Sequence, residues 1–410
     1  MSRFLLCAAA VAAAWLPALV GAEPLSFDQA IRLAAQRSEA ARARHAAAMS
    51  AAESSRAASQ LPDPVFSAGI DNLPVTGPDR LSTNRESMTT KRVGFSQEWV
   101  SADKRAAREA AARAMAGVEE AQAAAAQAEA RLQAAMAYVD AWYAGEALKL
   151  TTQAEHHLRE ELDTARARLA AAGGGSADML QLAAAQGMAE DDSAEARQRQ
   201  ALAFASLQRW AGYRPDALAT GPVFVMPTEA DYVARHPEVA VTRRNVEVAR
   251  GNATVAAQER HANWTWAVSY GQRTGYSDMV SIGVSIPLQI APSQRQDRET
   301  AARLALVDKA EAELAEATRA ATAEYQALSG DAERQAQRVV RFETAVTIPA
   351  RQRTEALLAG YRSNQAPLSA VFEARRQALE AERKHLALQR ELARIQAQLT
   401  FKPLAEGSVL

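Results

Sequence analysis

A single cysteine, Cys7, occurs in the 410-residue sequence, and it lies inside an apolar run at the start. Met1-Ser2-Arg3, the apolar stretch to Val20 and the small residues Val20-Gly21-Ala22 predict a secretory signal over residues 1–22, cut before Glu23. The run is short for a spanning helix, Pro17 falls near its end, and Leu6 precedes Cys7 where a lipidation signal carries Gly or Ala. The mature chain would then hold no cysteine, which excludes disulfides and thiolate metal ligands. A net charge of −1 gives no basic excess to suggest nucleic acid. No Gly-rich phosphate loop, His-Glu-x-x-His or nucleophile motif occurs. The histidines, His45, His156, His157, His236, His261 and His385, are scattered apart from one adjacent pair, whose side chains would point about 100° apart on a helix. These absences nominate no catalytic residue, no cofactor and no metal site, and they argue against an enzyme. Glycine and proline are scarce too, and long alanine-rich tracts contain neither. Length alone suggests two or three domains, whereas the missing helix breakers predict helices far longer than the globular norm.

What is present is organised around a strand pair, Asn263–Gln272 and Asp278–Leu288. In the first segment Trp264, Trp266, Val268 and Tyr270 share one face and Thr265, Ala267, Ser269 and Gly271 the other. In the second, Val280, Ile282, Val284, Ile286 and Leu288 alternate with smaller or more polar residues. A soluble sandwich gives the same period of two. The length, about 9–11 residues, together with Trp and Tyr for an interfacial girdle, suits a tilted strand crossing a bilayer. A second pair occurs earlier. Val65–Asn72 sets Phe66, Ala68 and Ile70 against Ser67, Gly69 and Asp71, and Arg92–Val100 sets Val93, Phe95 and Trp99 against Gly94, Ser96 and Glu98. Four strands cannot close a barrel, so in a membrane several chains must pool them.

Taken in order, residues 23–212 read as a first unit. A helix from Ser26, with Gln29 placed for a capping box, runs to about Gln60; the strand pair 65–100 follows, and Leu73–Thr90 is its polar loop. A helix from Ser101 to about Ala172 would be roughly 105 Å long. Leu132, Met136, Val139, Tyr143, Leu158, Leu162 and Leu169 give it coiled-coil spacing. A turn at 173–176 precedes a helix from Ser176 to about Ala211. Residues 213–227 form a linker, and residues 228–400 repeat the layout. A helix covers Thr228–His261, then come the strand pair 263–288, a helix from about Ser293 to Arg362, a turn at 363–366 and a helix to Leu399; 401–410 are a tail. In each unit the two shorter helices together match the long one, about 71 against about 72 residues in the first and about 69 against about 70 in the second, so they could stack beside it as one coiled-coil pair.

This layout resembles the TolC family of outer-membrane efflux proteins over nearly the whole mature chain. The resemblance implies a mainly α chain with a small β part. Three chains would pool four strands each into an outer-membrane barrel, continued through the periplasm as a helical barrel, internally duplicated, with a periplasmic adaptor and an inner-membrane pump docking at the helical turns. A finer similarity, to the branch serving heavy-metal pumps of the resistance-nodulation-division class, rests on five short stretches. They are Gln60-Leu61-Pro62-Asp63-Pro64 with Asp71-Asn72-Leu73-Pro74, then Met88-Thr89-Thr90-Lys91-Arg92-Val93-Gly94, Gln97-Glu98 and Asp103-Lys104-Arg105.

The resemblance also assigns roles. Tyr361-Arg362-Ser363-Asn364 and Val371-Phe372-Glu373-Ala374 match the family's constriction, so Glu373 falls on an acidic ring position, while Ala370 stands where the family usually has a second acid. Three converging carboxylates would repel, favour cations and raise their own pKa; otherwise Glu373 is one more solvated charge. Asp178 falls where a polar group ties neighbouring hairpins, with Tyr361 as partner. Gly173, Gly174, Gly175, Ser176, Asn364 and Gln365 are the turn residues expected to meet the adaptor. Trp264, Trp266, Tyr270, Phe66, Phe95 and Trp99 are the expected lipid contacts. The function implied is a passive exit duct, with heavy-metal cations as expected cargo and drugs or other small molecules as the alternative. A structural or adhesive coiled-coil protein is the rival from another class, and it leaves the aromatic-flanked strands without a use. A periplasmic adaptor would have one helical hairpin, not two.

Overall fold

The computed structural model describes residues 24–172, 176–363 and 365–405. Among them the order is α1 (Phe27–Arg37), α2 (Glu39–Ala58), β1 (Val65–Asp71), β2 (Thr90–Trp99), α3 (Ala102–Ala172), α4 (Ser176–Ala211), α5 (Glu229–Ala234), α6 (Pro237–Gln258), β3 (Trp264–Arg273), β4 (Met279–Ser285), α7 (Gln296–Phe342), a π-helical turn (Glu343–Thr347), α8 (Ile348–Arg362) and α9 (Leu368–Phe401). The signal segment and the turn glycines Gly173, Gly174 and Gly175 lie outside the described residues, as does Asn364.

Three expected continuous helices are interrupted, each for a local reason. The capping box forms at the first helix, where the Ser26 amide donates to Gln29 Oε1 at 3.0 Å and the Gln29 amide to Ser26 Oγ at 3.3 Å. The helix then breaks at Ser38, which is extended and caps α2 by accepting from the Ala41 amide. The helix expected over Thr228–His261 divides because Pro237 at its first position holds His236 extended, with φ −64° and ψ 131°. Between α7 and α8 the chain stays helical but widens to a π-turn just before Pro349, whose ring cannot sit against the carbonyl four residues back and supplies no amide to it.

The chain forms two compact units. One takes in Leu25–Leu33, Ala134–Val223 and Val346–Arg390. Its core includes Leu162, Leu182 and Phe372 with Leu158 and Met179 packed against them. Leu25 bridges to Leu218, and the buried Tyr138 hydroxyl lies 3.0 Å from the Leu25 carbonyl and 2.8 Å from that of Thr220. Arginines of α9 reach α3 and α4: Arg375 meets Glu161, Arg383 meets Asp192 at 2.7 Å and Arg390 meets Asp140 at 2.8 Å.

The second unit holds Ala34–Gln133, Phe224–Ala345 and the segment from Glu391. Small side chains make much of its core, with Val239, Ala317 and Ala321 in one cluster and Ala128, Ala240 and Leu404 in another. A third cluster sets Tyr232 and Leu399 against Ala332. Beside it the Tyr232 hydroxyl donates to Glu324 Oε1 at 3.1 Å, and Lys402 pairs with the same carboxylate. Burial pushes the Glu324 carboxyl up, but Lys402 and Tyr232 outweigh that and hold it below the usual carboxylate range. His236 Nε2 is 3.5 Å from Glu324 Oε2 without hydrogen-bond geometry, and burial followed by the Lys402 charge pushes the imidazole below its ordinary value.

The second unit also carries the sheet, antiparallel and ordered β1-β2-β3-β4. Direct partners Phe66, Phe95, Val268 and Ile282 define one face; Ser67, Gly94, Ser269 and Ser281 define the other. On that second face a Cβ at Gly94 would lie 2.9 Å from Ser269 Cβ, far inside the usual cross-strand spacing, so a larger residue fits there only if the strands shift. Among the described residues the outer edges of β1 and β4 have no partner strand.

Two outcomes follow from this packing. Gly94→Val is expected to destabilise the sheet by about 2 kcal/mol in denaturant unfolding in detergent. Gly283→Val, where a Cβ meets nothing within 4 Å, is expected to cost little. Because the His236 imidazole is pushed below its ordinary value in the folded state, the unfolded chain takes up its proton first as the pH falls below about 6.5. Melting temperature should therefore fall between pH 7 and pH 5, and His236→Gln should flatten that fall; an unchanged slope would remove His236 from the account.

Candidate functional site

The six aromatic residues singled out in the sequence lie on one face of the sheet. Phe66 and Phe95 are direct partners with ring centroids 5.1 Å apart, and Trp99 and Trp264 are partners at 5.9 Å. Trp266 lies between Gln97 and Val284, and Tyr270 between Val93 and Val280. The face is apolar across all four strands and is open to solvent in the single chain: Phe66 is 59% exposed and Ile282 78%. Ile286, Leu288 and Ile290 extend the pattern past the end of β4, also exposed. An apolar surface of this continuity is a binding surface for something that is not water. Trp99 and Trp264 mark its helix end. At the loop end Tyr270 donates to Asp278 and Lys91 to Asn84. Among the described residues no helix is long and apolar enough to cross a membrane.

The opposite face is built of small and polar residues: Ser67, Gly69, Gly94, Ser96, Ala267, Ser269, Gly271, Ser281 and Gly283, with Arg92 rising among them. Two faces of such different character on one thin sheet suit a wall between lipid and water.

Beneath the sheet, where strands pass into helices, lies a polar junction that motif reasoning did not single out as a site. Lys104 is only 3% exposed; its Nζ donates to Glu259 Oε2 at 3.0 Å and to Asn263 Oδ1 at 2.8 Å. Asn263 Nδ2 donates to Glu98 Oε1 at 2.8 Å, and Arg108 holds the other Glu259 oxygen at 3.0 Å. Burial pushes the Glu259 carboxyl up, yet Lys104 and Arg108 bring it below the usual range. Gln97 reaches the Pro62 carbonyl at 2.6 Å, and Arg105 that of Ser59 at 3.2 Å. Gln97, Glu98, Lys104 and Arg105 belong to the stretches that carried the family resemblance, so that motif is the fastening between strands and helices.

In the other unit the constriction candidates fall near the α8–α9 turn. Glu373 is exposed near the start of α9, while its neighbours Val371, Phe372 and Ala374 are buried. It is not a bare carboxylate. Arg376 donates to both its oxygens, at 2.9 and 3.3 Å, and Gln377 to one at 2.8 Å. The Arg376 hydrogen bond, then that of Gln377, holds the carboxyl below its ordinary value. Tyr361 is half-buried on α8. Ser176 and Asp178 lie in the first turn of α4 with side chains outside the described structure, so the Asp178–Tyr361 tie lies there too. Gln365 is exposed, its amide donating to the Gly360 carbonyl at 2.7 Å. Among the described residues no three His, Cys, Asp or Glu side chains are grouped so as to hold a metal ion.

No protein-family model matches the sequence, and no curated protein matches it. Solved structures do match. The outer membrane protein VceC from Vibrio cholerae aligns with a TM-score of 0.70 at 18% identity, over 91% of this chain and 94% of its own. The Campylobacter jejuni CmeC outer membrane channel aligns at 0.74 with 14% identity, over 93% of this chain and 87% of its own. CusC, which forms a transmembrane channel, aligns at 0.74 with 13% identity over 92% of both chains. At these identities the likeness is one of fold, and it extends over nearly the whole chain: this protein has the fold of outer-membrane channels.

Proposed function

We propose that this protein is the outer-membrane exit duct of a tripartite efflux system, working as a homotrimer whose three sheets close into a twelve-stranded barrel. The observation that carries the reading is the sheet, with an exposed apolar face, a small polar face and two edges that have no partner strand among the described residues. In hydrocarbon each unpaired backbone group costs several kcal/mol, so β4 of one copy pairs with β1 of the next until the ring closes. The apolar face meets lipid and the polar face lines the lumen. Residues 23–212 and 228–400 form two repeats, and their helices extend into the periplasm. There the turns at 173–176 and 363–366 meet an adaptor, which joins the duct to a proton-driven inner-membrane pump of the resistance-nodulation-division class. The duct itself is passive. Heavy-metal cations are the cargo favoured by the sequence stretches named above; drugs and other small molecules are the second reading.

Mass measurement in detergent should give three copies per particle, and a folded, stable monomer would sink the architecture. Glu373 forms the surviving acidic ring of the constriction, tempered by Arg376. In planar bilayers Glu373→Gln should lower cation selectivity and weaken block by multivalent cations, while Arg376→Ala should strengthen both. Since the Arg376 hydrogen bond holds the Glu373 carboxyl below its ordinary value, its contribution should persist as the pH falls through the ordinary carboxylate pKa and fade below it. Unchanged selectivity in Glu373→Gln would make that residue an ordinary solvated charge.

A further inference from the structure

The small-residue face of the sheet carries few charges, and they are unevenly placed. Within the strands they are Asp71, Arg92, Glu98 and Arg273. Three of them gather at the loop end. Asp71, Thr90 and Arg273 form one row of partners, and Gly69, Arg92, Gly271 and Met279 form the next. Arg92 is therefore flanked on both sides by glycines, so no neighbouring side chain covers it. Its guanidinium lies 3.3 Å from Asp71 Oδ1, and the side chain remains 52% exposed. Arg273 donates to the Met279 sulfur at 3.5 Å and lies over the Tyr276 ring, with no carboxylate partner among the described residues. One carboxylate thus faces two guanidiniums.

Nearby charges do not cancel this excess. The β1–β2 loop contributes Asp79 and Glu86 against Arg80 and Arg85, and Asp278, held by Tyr270, is offset by Lys91. Glu98 sits six positions along the strand from Arg92, about 20 Å away. That exceeds two Debye lengths at physiological salt, about 8 Å each, and Glu98 is engaged by Asn263.

We infer that Arg92 and Arg273, against Asp71, form a positively charged band inside the outer mouth of the barrel that favours small anions and the anionic ends of solutes leaving the duct. This rests on the exit-duct reading, since only a closed barrel turns the face into a lumen. Three copies of the band then surround the path. For a cationic solute it is an electrostatic barrier in both directions, opposite in sign to the Glu373 ring.

The test is reversal potential under a KCl gradient for the purified full-length protein in planar bilayers. Arg92→Gln should lower the chloride-to-potassium permeability ratio about twofold, as expected for one charge acting across several ångströms of water. Arg273→Gln should shift it the same way, Asp71→Asn the opposite way, and Arg92→Lys should leave it near wild type. If the wild type forms no pore, both this inference and the duct reading fall. If pores form and neither Arg92→Gln nor Asp71→Asn moves the ratio, the band is overturned and the duct stands.

Discussion

Among the described residues, the backbone amides and carbonyls along the outer edges of β1 and β4 have no partner strand, and the rest of the structure answers to that deficit. In water such edges are only sticky; in hydrocarbon they are prohibitive. The apolar face beside them poses the reverse problem, being comfortable in lipid and costly in water. A single chain cannot satisfy both, because four twisted strands do not curl far enough to bring β4 back to β1. Further strands added at both edges would satisfy both, which is the reasoning behind the proposed pooling of copies.

The helices solve a different problem by modest means. Their interfaces are largely alanine, so each residue buries little surface and backbones can approach closely. Uniform alanine faces specify register poorly, since one turn fits almost as well as the next. Polar pairs supply what shape does not. Arg375, Arg383 and Arg390 each meet one carboxylate environment on α3 or α4. Half-exposed ion pairs add little to stability, but a wrong offset leaves every one of them unmatched.

Much of this was legible in the sequence because period-two alternation with aromatic residues is hard to produce otherwise, as in Trp264 to Tyr270. The ends of α3 and α4 were legible from Gly173–Gly175 and Gly212, and the Ser26–Gln29 box from its spacing. The break at Ser38 was not, since a serine in an alanine-rich helix looks the same whether it caps or merely tolerates the helix. Pro237 did offer a signal for the division of α5 from α6. Lys104 reads as a surface cation, and only tertiary structure reveals that Glu259 and Asn263 enclose it. Glu373 was found by position, whereas its neutralisation by Arg376 was available in plain i,i+3 spacing.

The seam between β2 and β3 joins segments far apart in the chain: Glu98 and Asn263, bonded there, are 165 residues apart. Closing so long a loop costs only about 2 kcal/mol more than closing one of twenty residues, so the seam is no thermodynamic burden. In time it is different. The hairpins β1–β2 and β3–β4 are local and can form early, whereas the seam must wait for distant segments to meet. Until it zips, each hairpin is a two-stranded ribbon with a greasy side and two open edges, the kind of surface on which newly made chains stick to one another. Slow closure of one strand pair leaves the unassembled chain open to self-association for as long as that seam stays unzipped.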